Sequence, residues 1–140
     1  MAIPDVSGKS IAELISLKGR NAVVTGGARG IGLAICERFA EAGANVLIGD
    51  LDEQLAQEAA ENIAQQHGVN IIATLLDVAD SGSISAVAAQ AVREMGGIDI
   101  WVNNAGIYPM SPTLQMPDAM WDKVLDINLR GTWCKLAQEA

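Results

Sequence analysis

Thr25-Gly26-Gly27-Ala28-Arg29-Gly30-Ile31-Gly32 decides how this 140-residue chain is read. It follows the apolar run Ala22-Val23-Val24 and opens a stretch in which Ile31, Ala34, Ile35 and Phe39 fall on one helical face. Strand, glycine turn and helix, in that order, present backbone N–H groups and a helix N-terminus to a phosphate. Glycine is required there because a Cβ would block a pyrophosphate and the positive φ angles of the turn. About twenty residues further on, where a dinucleotide fold places its ribose-binding acid, the next apolar run, Val46-Leu47-Ile48-Gly49, closes on Asp50. A carboxylate at that strand end accepts hydrogen bonds from ribose hydroxyls. The alternative role for Asp50 is an N-cap or turn acid for the helix that begins near Glu53.

Outward from this pair, strands and helices alternate. Strands are expected at 21–25, 45–49, 70–76 and 98–103, each a short run rich in Val, Ile and Leu without period-2 alternation. Strands buried on both faces of a parallel sheet read this way. Helices are expected at 30–42, 53–67, 81–95 and 118–140, the third with Ile84, Val87, Ala88, Ala91, Val92 and Met95 on one stripe. Gly43, Gly68 and Gly96-Gly97 stand just past the first three helices, where a left-handed cap is wanted. With right-handed crossovers, these units predict a doubly wound parallel sheet in three αβα layers, strand order 3-2-1-4, stopping after the fourth βα unit. Residues 1–19 read as a lead-in. Its Ile11, Leu14, Ile15 and Leu17 are expected to form one or two helical turns against the edge of a single domain, 20–140.

Composition narrows the classes. Half of the residues are apolar and 19% are charged, which argues for a packed core and against disorder. A net charge of −8 argues against nucleic acid and anionic membranes as partners. No apolar run approaches a membrane span, and the N-terminus has no signal-peptide core. Cys36 and Cys134 lack metal spacing and read as reduced residues, so no metal site is expected and a cytoplasmic location is.

Polar punctuation marks the ends of all four strands: Thr25-Gly26, Asp50, Asp77-Val78 and Asn103-Asn104-Ala105-Gly106. In open α/β sheets that edge is where ligands bind. With Asn128 in Ile127-Asn128-Leu129-Arg130-Gly131, these stretches make the chain resemble the N-terminal, dinucleotide-binding part of a short-chain dehydrogenase/reductase. The resemblance covers about residues 20–140. It implies an NAD(P)-dependent oxidoreductase that moves a hydride between nicotinamide and a small alcohol or carbonyl substrate. It implies cofactor contacts at Thr25, Gly26, Arg29, Gly30, Ile31, Gly32, Asp50, Leu51, Asp77, Val78, Asn104, Ala105 and Gly106, with the adenine near Asp77 and the nicotinamide side near Ile31. Asn128 is the catalytic residue it assigns. From the residues themselves, Asp77 also suits an Asx turn, Asn103 and Asn104 suit turn formers, and Asn128 suits either a bent helix or a solvent-facing site.

Asp50 favours the free ribose diol of NAD over the 2′-phosphate of NADP, while Arg29 is the residue that would attract such a phosphate. Position 51 is Leu, so a second cation is missing. The family's tyrosine, with its lysine four residues on, is not in the chain: the single tyrosine is Tyr108 and residue 112 is Pro. A phenol of pKa near 10 needs a neighbouring cation to ionise at neutral pH. Lys123 and Lys135, on the last helix, are expected to reach the cleft only if that helix is repositioned. The 140 residues alone are therefore expected to be inactive. The alternative is a nucleotide-binding or assembly module without chemistry. The fourth helix, apolar on more than one side, and an uncovered fourth strand predict a homo-oligomer.

Overall fold

A computed structural model of the chain describes residues 5–133. The expected tail of the last helix, with Cys134, Lys135 and Leu136, lies outside them. Four strands, β1 (Asn21–Thr25), β2 (Asn45–Asp50), β3 (Ile71–Leu75) and β4 (Ile100–Val102), form one parallel sheet in the order β3-β2-β1-β4. This is the expected Rossmann-like order. In register, Val23 lies between Leu47 and Trp101, and Val24 between Ile48 and Val102.

Alternate side chains of each strand feed opposite faces of the sheet, and both are covered. On one face Val24, Val46 and Ile48 pack with Cys36 and Ala40 of α2 (Gly30–Glu41) and Ala56, Ala60 and Ile63 of α3 (Glu53–His67). On the other, Val23 and Leu47 pack with Ile84, Val87 and Ala91 of α4 (Ser81–Met95), and Ile127 joins them. Ala22, Val23, Val24, Val46, Leu47 and Ile48 have no exposed surface. That is why these strands lack a polar alternation.

Two expected helix faces need correction. In α2 the buried residues are Gly32, Cys36 and Ala40, whereas Ile31 is 76% exposed and Ala34 is exposed too. Small side chains let this helix sit close to the sheet, and the large apolar residue at its start is turned outward. In α4 the stripe holds for Ile84, Val87, Ala88 and Ala91, but Val92 is exposed.

The lead-in forms one short helix, α1 (Ile11–Ile15), closed by a reciprocal capping box between Ser10 and Glu13. It does not pack on the domain as expected: Ile11, Leu14 and Ile15 are exposed, and only Leu17 reaches the core. At the sheet end remote from the glycine loop, Asp99 accepts from the Asn21 N–H at 2.9 Å and pairs with Arg20 at 2.7 Å. Those two partners hold its carboxyl below the usual carboxylate range.

After β4 the chain passes through a 3-10 turn (Thr113–Gln115) into α5 (Asp118–Leu125), which widens without a break into a π-helical turn, Asp126–Arg130. The expected single helix from 118 is thus two segments. No helix of the described residues is long and apolar enough to cross a membrane.

Candidate functional site

The site is assembled at the carboxyl edge of the sheet, where β1 turns into α2. Gly26 leaves β1 with φ +64° and donates its N–H to the Gly49 carbonyl at 2.7 Å, so the loop starts flush against β2. A Cβ at Gly32 would stand 2.1 Å from the Gly26 oxygen and 2.6 Å from Asn104 Nδ2, so the first turn of α2 rests directly on the loop. Gly30 has φ +58° and no neighbour for a Cβ within 4 Å: it faces open space. No side chain caps α2, since Arg29 at its N-cap contributes no hydrogen bond. The unpaired N–H groups of a first helical turn are then free for an anion.

Asp50 borders this cradle. Its Oδ2 accepts from the Ala28 N–H at 3.0 Å and its Oδ1 from the Asp52 N–H at 3.1 Å. It is not the cap of α3, because that role belongs to Asp52, whose Oδ1 accepts from the Leu55 N–H at 3.1 Å. Each Asp50 oxygen spends one lone pair on backbone and keeps acceptor capacity for a diol. A carboxylate with spare acceptor capacity, a positive-φ glycine facing open space and an uncapped helix start together fit a dinucleotide.

The Asn-Asn-Ala-Gly turn is bound to the same loop from the other side. Asn104 Nδ2 donates to the carbonyls of Thr25 and Gly26, both at 2.9 Å. Thr25 Oγ1 accepts from the Asn104 and Ala105 N–H groups, each at 3.0 Å, and donates to the Val102 carbonyl at 3.3 Å. Thr25 is buried and its hydroxyl is spent on this junction. The side chains of Thr25 and Asn104 therefore hold the loop against β4 from behind. A Cβ at Gly26 would meet the Ala105 Cα at 2.9 Å, so the two backbones touch.

Asp77, two residues past β3, forms an Asx turn: its Oδ1 accepts from the Ala79 N–H at 2.9 Å. Its own N–H donates to Ser83 Oγ at 3.0 Å. Val78 is buried in the α4-side core. Leu51 is 64% exposed beside Asp50, and Arg29 is exposed at the loop tip.

Asn128 lies in the π-helical turn, half-buried, and it is not solvent-facing. Its Oδ1 accepts from the Ile107 N–H at 2.9 Å and its Nδ2 donates to the Ile107 carbonyl at 2.8 Å. Gly106 passes so close that a Cβ would meet Asn128 Oδ1 at 3.2 Å. Ile107 is the partner that sequence reasoning did not anticipate. A mid-helix asparagine was the only signal of the turn, and π-helical turns recur at functional sites. Thr25, Gly26, Arg29, Gly30, Ile31, Gly32, Asp50, Leu51, Asn104, Ala105 and Gly106 thus gather at one edge. Asp77 and Val78 flank it one strand further out, and Asn128 joins from the opposite side through Ile107.

A Rossmann-like α/β sheet with this edge is one fold class with many occupants. The model of the short chain dehydrogenase family matches residues 20–138, and the chain belongs to that family. Among its relatives, galactitol 2-dehydrogenase of Agrobacterium fabrum is 43% identical over 115 residues, 82% of this chain and 43% of that protein. A short-chain type dehydrogenase/reductase from Mycobacterium marinum superposes with a TM-score of 0.85 at 33% identity, covering 89% of this chain and 48% of that one. L-sorbose reductase from Gluconobacter frateurii, solved with NADPH and L-sorbose, superposes at 0.83 with 31% identity, covering 89% and 47%. The chain therefore spans less than half the length of these relatives.

Proposed function

We propose that residues 20–140 are the dinucleotide-binding part of an NAD-dependent oxidoreductase acting on a small alcohol or carbonyl compound in the cytoplasm. Residues 1–19 are its lead-in. The observation that carries this reading is the Asp50 carboxylate, fixed by the Ala28 N–H at 3.0 Å on the rim of an uncapped glycine loop. A bound nicotinamide would supply the hydride chemistry at the substrate carbon. This chain's own residues bind and orient. The first-turn N–H groups of α2 take the pyrophosphate, and Asp50 takes the ribose diol and repels a 2′-phosphate. Asp77 and Val78 border the adenine, and Ile31, exposed at the start of α2, supplies apolar surface on the nicotinamide side. Arg29 is the one nearby cation that favours NADP, the cofactor form in the sorbose reductase complex.

The chemical step also needs a proton donor of matched pKa for the developing alkoxide. Asn128 spends both ends of its carboxamide on Ile107 and is neither acid nor base. Its role here is positioning, since it fixes the segment that follows the Asn-Asn-Ala-Gly turn. No Tyr-x-x-x-Lys stretch occurs in the chain. The 140-residue chain is accordingly inactive alone and gains activity with a polypeptide that carries that motif. NADH consumption against a panel of small ketones tests this. The expected result is no turnover above background. Turnover that disappears in Tyr108→Phe would show that the chain carries its own acid.

A further inference from the structure

A pocket of about 670 Å³ opens between the Ile107-Tyr108-Pro109 segment and the start of α5, where Met120 and Lys123 complete the wall. That size suits a small-molecule ligand. The pocket adjoins the candidate site directly, because Ile107 is the residue whose backbone Asn128 clamps at 2.9 and 2.8 Å. Tyr108 and Lys123 line this pocket together, with α5 where it stands.

Lys123 is the one charged residue of that lining and enters no ion pair among the described residues. Of the acids of this stretch, Asp126 stands three residues beyond Lys123 on the same helical face, where it pairs with Arg130 at 3.2 Å. Lys123 is exposed, so its ammonium pairs only weakly with a free anion in water, and on an otherwise apolar wall it favours an anion that brings apolar surface with it. One monovalent cation matches a carboxylate rather than a phosphate dianion.

Resting on the oxidoreductase reading above, we propose that this pocket takes the non-reacting part of the substrate: an alkyl or ring body that ends in a carboxylate, paired with Lys123. The substrate class is thus an apolar hydroxy or oxo acid whose acid group is remote from the reacting carbon.

Amide chemical shifts of Ile107, Met120 and Lys123, followed while decanoate, decanol and acetate are titrated in turn, test this. Decanoate is expected to bind about tenfold more tightly than decanol, the span of one charge-assisted contact, and acetate is expected not to bind. Lys123→Gln abolishes the difference between decanoate and decanol, and Lys123→Arg restores it. Equal affinity for the two ten-carbon probes, acetate binding as tight as decanoate, no binding, or indifference to Lys123→Gln overturns the proposal. NAD is titrated into the same samples. If NAD binds while decanoate shows no selectivity, only the substrate class fails. If NAD does not bind, the dinucleotide reading fails.

Discussion

Asn128 hydrogen-bonds Ile107 as a strand neighbour would: Oδ1 accepts from the N–H at 2.9 Å and Nδ2 donates to the carbonyl at 2.8 Å. One side chain thereby pairs with both backbone groups of Ile107. Asn128 sits inside the π-helical turn, a feature that recurs at functional sites. Asn128→Ala leaves both Ile107 groups half-buried without partners. It is expected to cost about 1–3 kcal/mol in urea unfolding and to speed exchange of the Ile107 amide. An unchanged midpoint with unchanged exchange would remove Asn128 from its positioning role.

The two glycines of α2's first turn should respond differently to alanine. At Gly32 a Cβ meets backbone at 2.1 Å, so the loop or the helix must move, at a cost of about 3 kcal/mol or more. At Gly30 a Cβ meets nothing, and only the φ of +58° is strained, at about 1–2 kcal/mol. Gly30→Ala should also weaken nucleotide binding, since its Cβ would occupy the open face of the cradle. Paired thermal melts that rank the two variants in the reverse order would contradict the packing described here.

Cys36 lies under the loop with no exposed surface, and burial pushes its thiol up to about 12. The neutral thiol is the folded form, so alkylation of Cys36 at neutral pH should follow unfolding rather than direct attack. The sign for stability follows from the raised value. Cys36's contribution is complete below the unfolded thiol pKa of about 8.5. It declines as pH rises toward about 12, because only the unfolded chain ionises in that window. Peptide mapping that finds Cys36 alkylated as fast as a model thiol at pH 7 would rule this out.

Self-association is expected through α5 and its extension, where Trp121, Leu125, Leu129 and Trp133 recur every fourth residue and are all exposed. Sedimentation should find a dimer or larger species that Trp121→Glu with Leu125→Glu disperses. A parent chain that stays monomeric at high micromolar concentration would refute it.

Much of this fold was legible because the strand centres Ala22-Val23-Val24 and Val46-Leu47-Ile48 are apolar runs and α2, α3 and α4 each meet a glycine within two residues of their end. The sheet order and the Gly26-to-Asp50 juxtaposition followed from that pattern. What sequence did not show has a common cause: small or polar residues whose partners lie far along the chain. Gly32, Cys36 and Ala40 carry the buried face of α2, yet an apolar count is drawn to Ile31. Thr25 reads as a phosphate ligand by position, and its hydroxyl is consumed by residues 79 and 80 positions away. Asp77 was ambiguous because an Asx turn needs only local backbone, and the Asn128–Ile107 pair needs a π-helical turn that no periodicity announces.

The central claim is that Asp50, held on the rim of the glycine loop, makes this a site for NAD. Calorimetric titration of the parent chain and of Asp50→Ala with NAD and NADP tests it most directly. The account predicts tighter NAD binding in the parent. In Asp50→Ala it predicts a loss for NAD of about 1.5–3 kcal/mol, the worth of hydrogen bonds to a charged acceptor, and a smaller loss or a gain for NADP. Equal affinities for the two dinucleotides in the parent chain would contradict it.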